Sequence, residues 1–94
     1  MKITDVIWLR SVIDKLQWKH NVEIYEVEEV LNNRPHFRFI EKGQIEDEDL
    51  YTALGQNHSG RYLIVYFIYK KINEALIVSA REMTKKERKL YGKH

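Results

Sequence analysis

The feature that most constrains the fold is a pair of apolar runs near the C-terminus. Residues 62–69 are all apolar or aromatic, and rich in the β-branched and aromatic side chains that favour strands. Charged side chains and an amide interrupt the pattern at residues 70–73, and residues 75–80 resume it. The two runs are too close for any connection except an antiparallel hairpin. Because residues 62–69 are apolar on both faces, we expect this strand in the middle of a sheet that is covered on both sides.

The position of the turn in this hairpin determines which positively charged side chains lie opposite each other across the two strands. A turn centred on residue 71, or on residues 71 and 72, places Arg61 opposite Arg81 or its neighbour, with β-carbons about 5 Å apart. Two positive charges at that distance repel by roughly 3 kcal/mol at an effective dielectric constant of about 20. Either each guanidinium group turns to solvent or pairs with Glu82 or another acid, or an anion such as a phosphate lies between them. The spacing leaves both alternatives open.

A capped, basic helix is expected after the second strand. Thr84 and Glu87 have the spacing of a capping box, in which each side chain accepts a hydrogen bond from the backbone of the other residue. The turns that follow carry positive side chains and two residues able to pack, namely Lys85, Lys86, Arg88, Lys89, Leu90 and Tyr91. Alone, such a helix usually presents a solvated face. Its position directly after Arg81 also suits contact with RNA.

Length and composition exclude several classes of protein. The 94 residues suffice for one domain, residues 1–94. The absence of cysteine excludes a disulfide framework, thiolate chemistry and a cysteine zinc site. The N-terminal residues lack the apolar core of a signal peptide, and no apolar run has the length of a membrane span. We therefore expect a cytoplasmic protein that makes no contact with membranes.

Positive charge is unevenly distributed along the chain. Residues 1–60 carry seven lysines and arginines against eleven acids, whereas residues 61–94 carry nine against three. This polarity suits a protein with one face for an anionic polymer and another face for a different partner. In a chain of this length, chance also produces such a distribution.

Helical spacing predicts two N-terminal helices. The first pattern comprises Leu9, Val12, Ile13 and Leu16. That helix either begins with Thr4 as its N-cap, or begins near residues 10–11 after a short edge strand over residues 3–8; it ends at residues 19–21, where Asn21 suits a left-handed C-cap. The second pattern comprises Ile24, Val27, Val30 and Leu31 and ends at residues 32–35. Its acidic residues, Glu23, Glu26, Glu28 and Glu29, are expected to face solvent.

Two more strands complete the predicted sheet. Residues 36–41 alternate, with Phe37 and Phe39 on the buried side. After an acidic loop at residues 42–49, residues 50–56 form a strand, and residues 57–60 form a turn into the hairpin. The predicted fold class is α+β, with two N-terminal helices, a four-stranded antiparallel sheet and a C-terminal helix. A short extra N-terminal strand is the alternative noted above.

The chemistry available to this chain is limited. The four histidines, His20, His36, His58 and His94, share no metal-ligand spacing, and no glycine-rich phosphate loop or nucleophile elbow is present. We therefore expect no metal and no cofactor. The set that remains is Lys19, His20, Arg61 and Arg81.

This set suits metal-independent cleavage of RNA. The 2′-hydroxyl attacks the adjacent phosphorus, so the protein needs only to accept one proton, donate another and stabilise the negative charge that develops. Histidine and lysine can move protons, and arginine can hold the non-bridging oxygens. On spacing alone, however, a histidine at a helix end is more often part of the cap than a base.

Four segments carry a resemblance to a known family. The first two are the spacing from Trp8 to His20, and Lys19-His20-Asn21-Val22 leading into the helix at residues 25–30. The third is Ala53-Leu54-Gly55 followed by Gly60-Arg61. The fourth and most specific is residues 77–81, Ile-Val-Ser-Ala-Arg, followed by Thr84, Glu87, Arg88 and Tyr91. In these segments the chain resembles the BrnT toxins of bacterial type II toxin–antitoxin systems, over nearly its whole length and least between residues 35 and 49.

The resemblance implies a RelE-like ribonuclease fold and ribosome-independent RNA cleavage that inhibits translation. It also implies a BrnA-like antitoxin partner that has a ribbon-helix-helix part. Operator DNA is then bound by the antitoxin part of the complex and not by this chain directly. The functional residues that it implies are Lys19, His20, Arg61, Arg81, Arg88 and Tyr91, with the acid and the base unassigned. Together with the basic helix, this gives Lys19, His20, Arg61 and Arg81 as catalytic candidates and Lys85, Arg88 and Tyr91 as RNA-binding candidates.

The chain departs from the family pattern at Leu9, Leu50 and Gln56, where acidic or basic residues are usual. These departures keep a second hypothesis open, a non-catalytic RNA- or protein-binding module on the same scaffold.

Overall fold

The computed structural model describes residues 1–93; His94, one of the four histidines considered for metal binding, lies outside them. Within these residues the chain forms three α-helices and five strands. Their order is β1 (Asp5–Ile7), α1 (Arg10–His20), α2 (Ile24–Asn32), β2 (His36–Glu41), β3 (Asp49–Gln56), β4 (Tyr62–Lys70), β5 (Glu74–Glu82) and α3 (Lys85–Tyr91), with one 3₁₀ turn, Lys71–Asn73, between β4 and β5. No helix in the described part of the chain is long and apolar enough to cross a membrane.

The strands form one mixed sheet in the order β1-β5-β4-β3-β2. Strands β2 to β5 are an antiparallel meander, which confirms the predicted four-stranded sheet. The short β1 adds a parallel edge, with Asp5 opposite Glu74 and Ile7 opposite Leu76. The alternative with an N-terminal strand is therefore the observed one, and α1 begins at Arg10 rather than at a Thr4 cap.

The core has two sides because β4 is apolar on both faces. Helices α1 and α2 bury Leu16, Val27 and Val30 against one face of the sheet, together with alternate strand residues that include Leu63, Val65, Phe67 and Ile77. On the other face, Leu90 and Tyr91 of α3 pack on Leu54, Ile64 and Met83. A fully buried side chain of this size contributes about 1.5–3 kcal/mol. The prediction of a central strand with cover on both sides is confirmed.

The β4–β5 hairpin differs from the prediction in its register. Lys70 pairs with Glu74, so the loop is centred on residue 72, and Ile72 and Asn73 adopt left-handed backbone angles, φ 58° and 62°. A β-bulge then changes the pairing from Phe67 with Ile77 to Tyr66 with Ser79, which leaves Val78 as an extra residue.

Together, the shifted loop and the bulge place Ile64, not Arg61, opposite Arg81. The predicted opposition of Arg61 and Arg81 is therefore wrong. The sequence places both arginines near the same end of the hairpin, but they do not occupy facing positions.

Candidate nucleic-acid site at one end of the sheet

Arg61 fastens the two N-terminal helices to the sheet. Its Nη1 donates to the carbonyl oxygen of Asn21 at 2.7 Å and to both carboxylate oxygens of Glu26 at 3.1 and 3.0 Å. Its Nε donates to Glu82 at 3.1 Å, and its Nη2 donates to the His20 carbonyl at 3.4 Å. Burial lowers the pKa of Arg61, but the hydrogen bonds to Glu26 and Glu82 outweigh this effect and raise it. The guanidinium group is thus a fixed cation on the face of the sheet that α1 and α2 cover.

Glu26 is the buried anion of this network. Glu26 as a whole residue is only 7% exposed, although the sequence pattern places it among the solvated acids of α2. Asn57 donates from Nδ2 to Glu26 at 2.9 Å, and its Oδ1 accepts the backbone N–H of Arg61 at 2.8 Å. Glu26 also accepts the backbone N–H of Glu23 at 3.0 Å, in a capping box at the start of α2. That three-residue spacing is the signal by which sequence reasoning could have separated Glu26 from its neighbours.

Arg81 lies on the other face of the sheet. It is opposite Ile64, whose side chain belongs to the α3 side of the core. Its two terminal nitrogens donate to the carboxylate of Glu87 at 2.8 and 2.9 Å, and Nη2 also donates to the hydroxyl of Tyr66 at 3.2 Å. The hydrogen bonds to Glu87 are the largest reason that the pKa of Arg81 is raised.

The two arginines therefore face opposite sides of the sheet, and each is paired with carboxylates. Of the two alternatives that the spacing left open, a single anion between the two arginines is therefore not the one observed. The plainer alternative, pairing with Glu82 or another acid, holds for both: Glu26 and Glu82 bind Arg61, and Glu87 binds Arg81.

Lys19 and His20 occupy the last turn of α1. Asn21 follows with φ 53°, as the left-handed C-cap that the sequence predicts. His20 is partly buried, and its pKa is lowered from the ordinary 6.5 by that burial and by the positive charges of Lys19, Lys15 and Arg81. The imidazole is therefore mostly neutral at pH 7 and sits in a positive potential. Among the residues that the structure describes, no group of three or more histidines and acids could hold a metal ion.

Helix α3 adds cations and tyrosines beside Arg81. The guanidinium carbon of Arg88 lies 4.0 Å from the centroid of the Tyr62 ring, and Tyr91 meets the same ring edge-on at 6.2 Å. Lys85, Lys86 and Lys89 are exposed. The structure thus brings Arg81, Arg88 and Tyr91 together on one face and leaves Arg61 on the other. It also adds Tyr62 and Tyr66, which the sequence presents only as members of an apolar run.

The capping box of α3 is confirmed: Glu87 N–H donates to Thr84 at 3.2 Å, and Thr84 N–H donates to Glu87 at 2.8 Å. Glu87 therefore supports both the helix start and Arg81, and its pKa is lowered chiefly by the hydrogen bonds from Arg81. A lowered carboxyl pKa stabilises the fold above the unfolded-state value, and this contribution is lost as the pH falls through the folded-state value.

We therefore expect Glu87→Gln to reduce the free energy of unfolding by about 2 kcal/mol at pH 7. Urea unfolding at a series of pH values measures this difference. It should shrink progressively as the pH falls below about 4.5, because the wild-type carboxyl then becomes protonated too. A difference that does not change with pH would show that the charge of Glu87 is not what matters.

The fold and these side chains define a class of protein, the small α+β domains with a five-stranded mixed sheet and cationic side chains at one end of it. A family model described as the ribonuclease toxin, BrnT, of type II toxin–antitoxin systems matches residues 13–87, which is most of the chain. The chain belongs to this BrnT toxin family, and a toxin of such a system has an antitoxin as its partner. Among curated proteins, none matches.

A solved structure supports the fold. The 1.1 Å crystal structure of the Brucella abortus ribonuclease toxin BrnT superposes with a TM-score of 0.59. The alignment covers 86% of this chain and 97% of that one, at 16% sequence identity. At that identity the similarity shows the architecture, and the site must be argued from this chain's own residues.

Proposed function

We propose that this protein is a metal-independent endoribonuclease, a toxin that cleaves RNA and thereby inhibits translation until an antitoxin neutralises it. The observation that carries the proposal is the environment of the His20 side chain. This imidazole is partly buried at the end of α1, and its pKa is lowered by that burial and by the positive charges of Lys19, Lys15 and Arg81. A neutral base in a positive potential is suited to a substrate that is a polyanion and must lose a proton.

His20 is assigned as the general base of the reaction. It accepts the proton of the ribose 2′-hydroxyl, whose oxygen attacks the adjacent phosphorus. Lys19 and Arg81 stabilise the negative charge that builds on the phosphorane oxygens. Because the substrate itself supplies the nucleophile, this chemistry requires no metal ion.

Arg61 is assigned a different role from the one that the hairpin spacing suggests. Its N–H groups are directed at the His20 and Asn21 carbonyls and at two carboxylates. We infer that Arg61 is a positioning residue, which holds the end of α1 and with it the His20 side chain, rather than a group that contacts RNA phosphate.

Helix α3 provides the remaining RNA contacts in this proposal. Lys85 and Arg88 attract the phosphate backbone, and the ring of Tyr91 offers a face or edge for a base. The contact of Arg88 with the Tyr62 ring keeps the cation beside the aromatic group.

The partner that we propose is a BrnA-like antitoxin with a ribbon-helix-helix part. Operator DNA is then bound through the antitoxin and only by the complex. This part of the proposal is supported by membership of the family rather than by any surface of the chain.

Two measurements test the ribonuclease proposal. Induced expression without the antitoxin should arrest growth, and the purified protein should cut labelled RNA in the presence of EDTA. The competing hypothesis, a non-catalytic binding module, predicts RNA binding that weakens steeply with salt while the RNA stays intact. Normal growth at verified levels of folded protein, together with uncut RNA, would refute the ribonuclease proposal.

A further inference from the structure

Tyr66 has a hydroxyl that the sequence gives no reason to single out. The residue lies on β4 opposite Ser79 and is partly buried on the α3 side of the sheet. Its oxygen accepts a hydrogen bond from Nη2 of Arg81 at 3.2 Å. Within residues 1–93 the hydroxyl donates its own proton to no other group, so that proton is available to a ligand.

Arg81 holds this hydroxyl in place. Its Nη2 bonds to Tyr66, and its positive charge is one of those that lower the pKa of His20. The two-point contact with Glu87 fixes the plane of the guanidinium group, and its carbon lies 5.8 Å from the centroid of the Tyr66 ring. A proton donor is therefore held against a cation whose orientation is fixed.

The other tyrosines of β4 do not share this arrangement. The face of the Tyr62 ring is covered by Arg88. The hydroxyl of Tyr69 bonds to the Lys2 carbonyl at 2.6 Å and to Asn73 at 2.7 Å, beside the hairpin loop at the opposite end of the strand. Tyr66 is the tyrosine of this strand whose hydroxyl bonds to Arg81.

We propose that Tyr66 is a further catalytic residue, the general acid that protonates the 5′-oxygen leaving group. This inference rests on the proposed ribonuclease function. The bond from the 2′-oxygen to phosphorus forms while the bond from phosphorus to the 5′-oxygen breaks, giving a 2′,3′-cyclic phosphate and a 5′-hydroxyl. His20 takes the 2′-hydroxyl proton, and Tyr66 gives its proton to the 5′-oxygen. Water then carries a proton from His20 back to the Tyr66 phenolate.

The direction of this transfer follows from ordinary acidities. A phenol has a pKa of about 10, whereas an alkoxide leaving group is about as basic as hydroxide, so the developing alkoxide takes the proton. The neighbouring guanidinium group of Arg81 stabilises the phenolate that remains.

The experiment compares two RNA substrates that differ in one atom at the cleaved bond. In one the leaving group is the natural 5′-oxygen; in the other a 5′-sulfur replaces it. A thiolate leaves without protonation, because thiols are far stronger acids than alcohols. Tyr66→Phe should slow cleavage of the oxygen substrate by about 10²- to 10⁴-fold and leave cleavage of the sulfur substrate nearly unchanged. His20→Ala should slow cleavage of both substrates.

Tyr69→Phe is the matched control, since it removes a hydroxyl from the same strand at the other end; it should leave both rates unchanged. A second variant keeps the hydroxyl: a fluorinated tyrosine at position 66 is more acidic, and should move the alkaline limb of the pH–rate profile to lower pH. Equal losses on both substrates for a folded Tyr66→Phe, or an alkaline limb that does not move, would overturn the role of Tyr66. If the unmutated protein cuts neither substrate, the ribonuclease function itself fails, and this inference with it.

Discussion

Replacing Arg61 with alanine is expected to reduce the free energy of unfolding by about 3 kcal/mol. The side chain of Arg61 is 22% exposed and the side chain of its partner Glu26 is 9% exposed, so the variant leaves a carboxylate buried without its cation. The same change leaves the carbonyl groups of His20 and Asn21 without their donor. For a chain of this length the total free energy of unfolding is only roughly 5–14 kcal/mol. Urea unfolding at pH 7 measures the loss.

Two further variants show whether the buried charge is the cause. Arg10→Ala removes an arginine from an exposed pair, in which Arg10 and Asp14 lie 3.5 Å apart, and should change stability by about 0.5 kcal/mol or less. Adding Glu26→Gln to Arg61→Ala should restore part of the lost stability, because no buried charge is then left unpaired. An Arg61→Ala protein as stable as the wild type would show that this network does not hold the helices.

The second large effect is expected at His20. His20→Ala should lower the rate of RNA cleavage by about 10²- to 10⁴-fold while leaving thermal unfolding nearly unchanged. It should also remove the growth arrest. His58→Ala is the control, because His58 is exposed and pairs with Glu29 instead. A cleavage rate equal to that of the wild type would exclude His20 as the base.

The pH dependence follows from the lowered pKa of His20. A base acts in its deprotonated form, so cleavage should fall as the pH falls through that pKa. Because the pKa lies below the ordinary 6.5, the midpoint of this decline should lie below pH 6.5. Lys19→Gln removes one of the charges responsible and should move the decline toward pH 6.5. If the cleavage rate of His20→Ala still declined at low pH, the decline would be due to the protonation of another group.

Local patterns predicted most of the elements. Strand β2 lies at residues 36–41 as expected, and the Thr84–Glu87 capping box and the Asn21 C-cap are both present. Each depends on side chains and backbone groups within a few residues of one another, so the sequence contains the whole interaction. The edge strand was one of two alternatives, because three residues carry too little periodicity to decide between them.

The register of the hairpin could not be predicted in the same way. Register is normally fixed by an alternation of buried and exposed residues, but β4 is apolar on both faces. Nothing in the sequence then marks Val78 as an extra residue, or residue 72 as the centre of the loop. This is why the expected meeting of Arg61 and Arg81 fails, although both residues are near the predicted end of the sheet.

Long-range polar contacts were missed for a related reason. Glu26 and Arg61 are 35 residues apart in the chain, and Glu26 stands among acids that face solvent. Tyr66 reads as one more aromatic residue in a core strand, and only the structure shows its hydroxyl against Arg81. The cation-rich end of α1 was predicted, whereas the partners that orient it were not.

The parallel pairing of β1 with β5 bears on when the molecule can become toxic. The strand synthesised first bonds to residues 74–76, and Arg81, Glu87 and α3 follow later still. Contacts between such distant segments form late in folding. A nascent chain in which residues 74–87 are not yet synthesised therefore has neither the pairing of β1 with β5 nor the contact of Arg81 with Glu87.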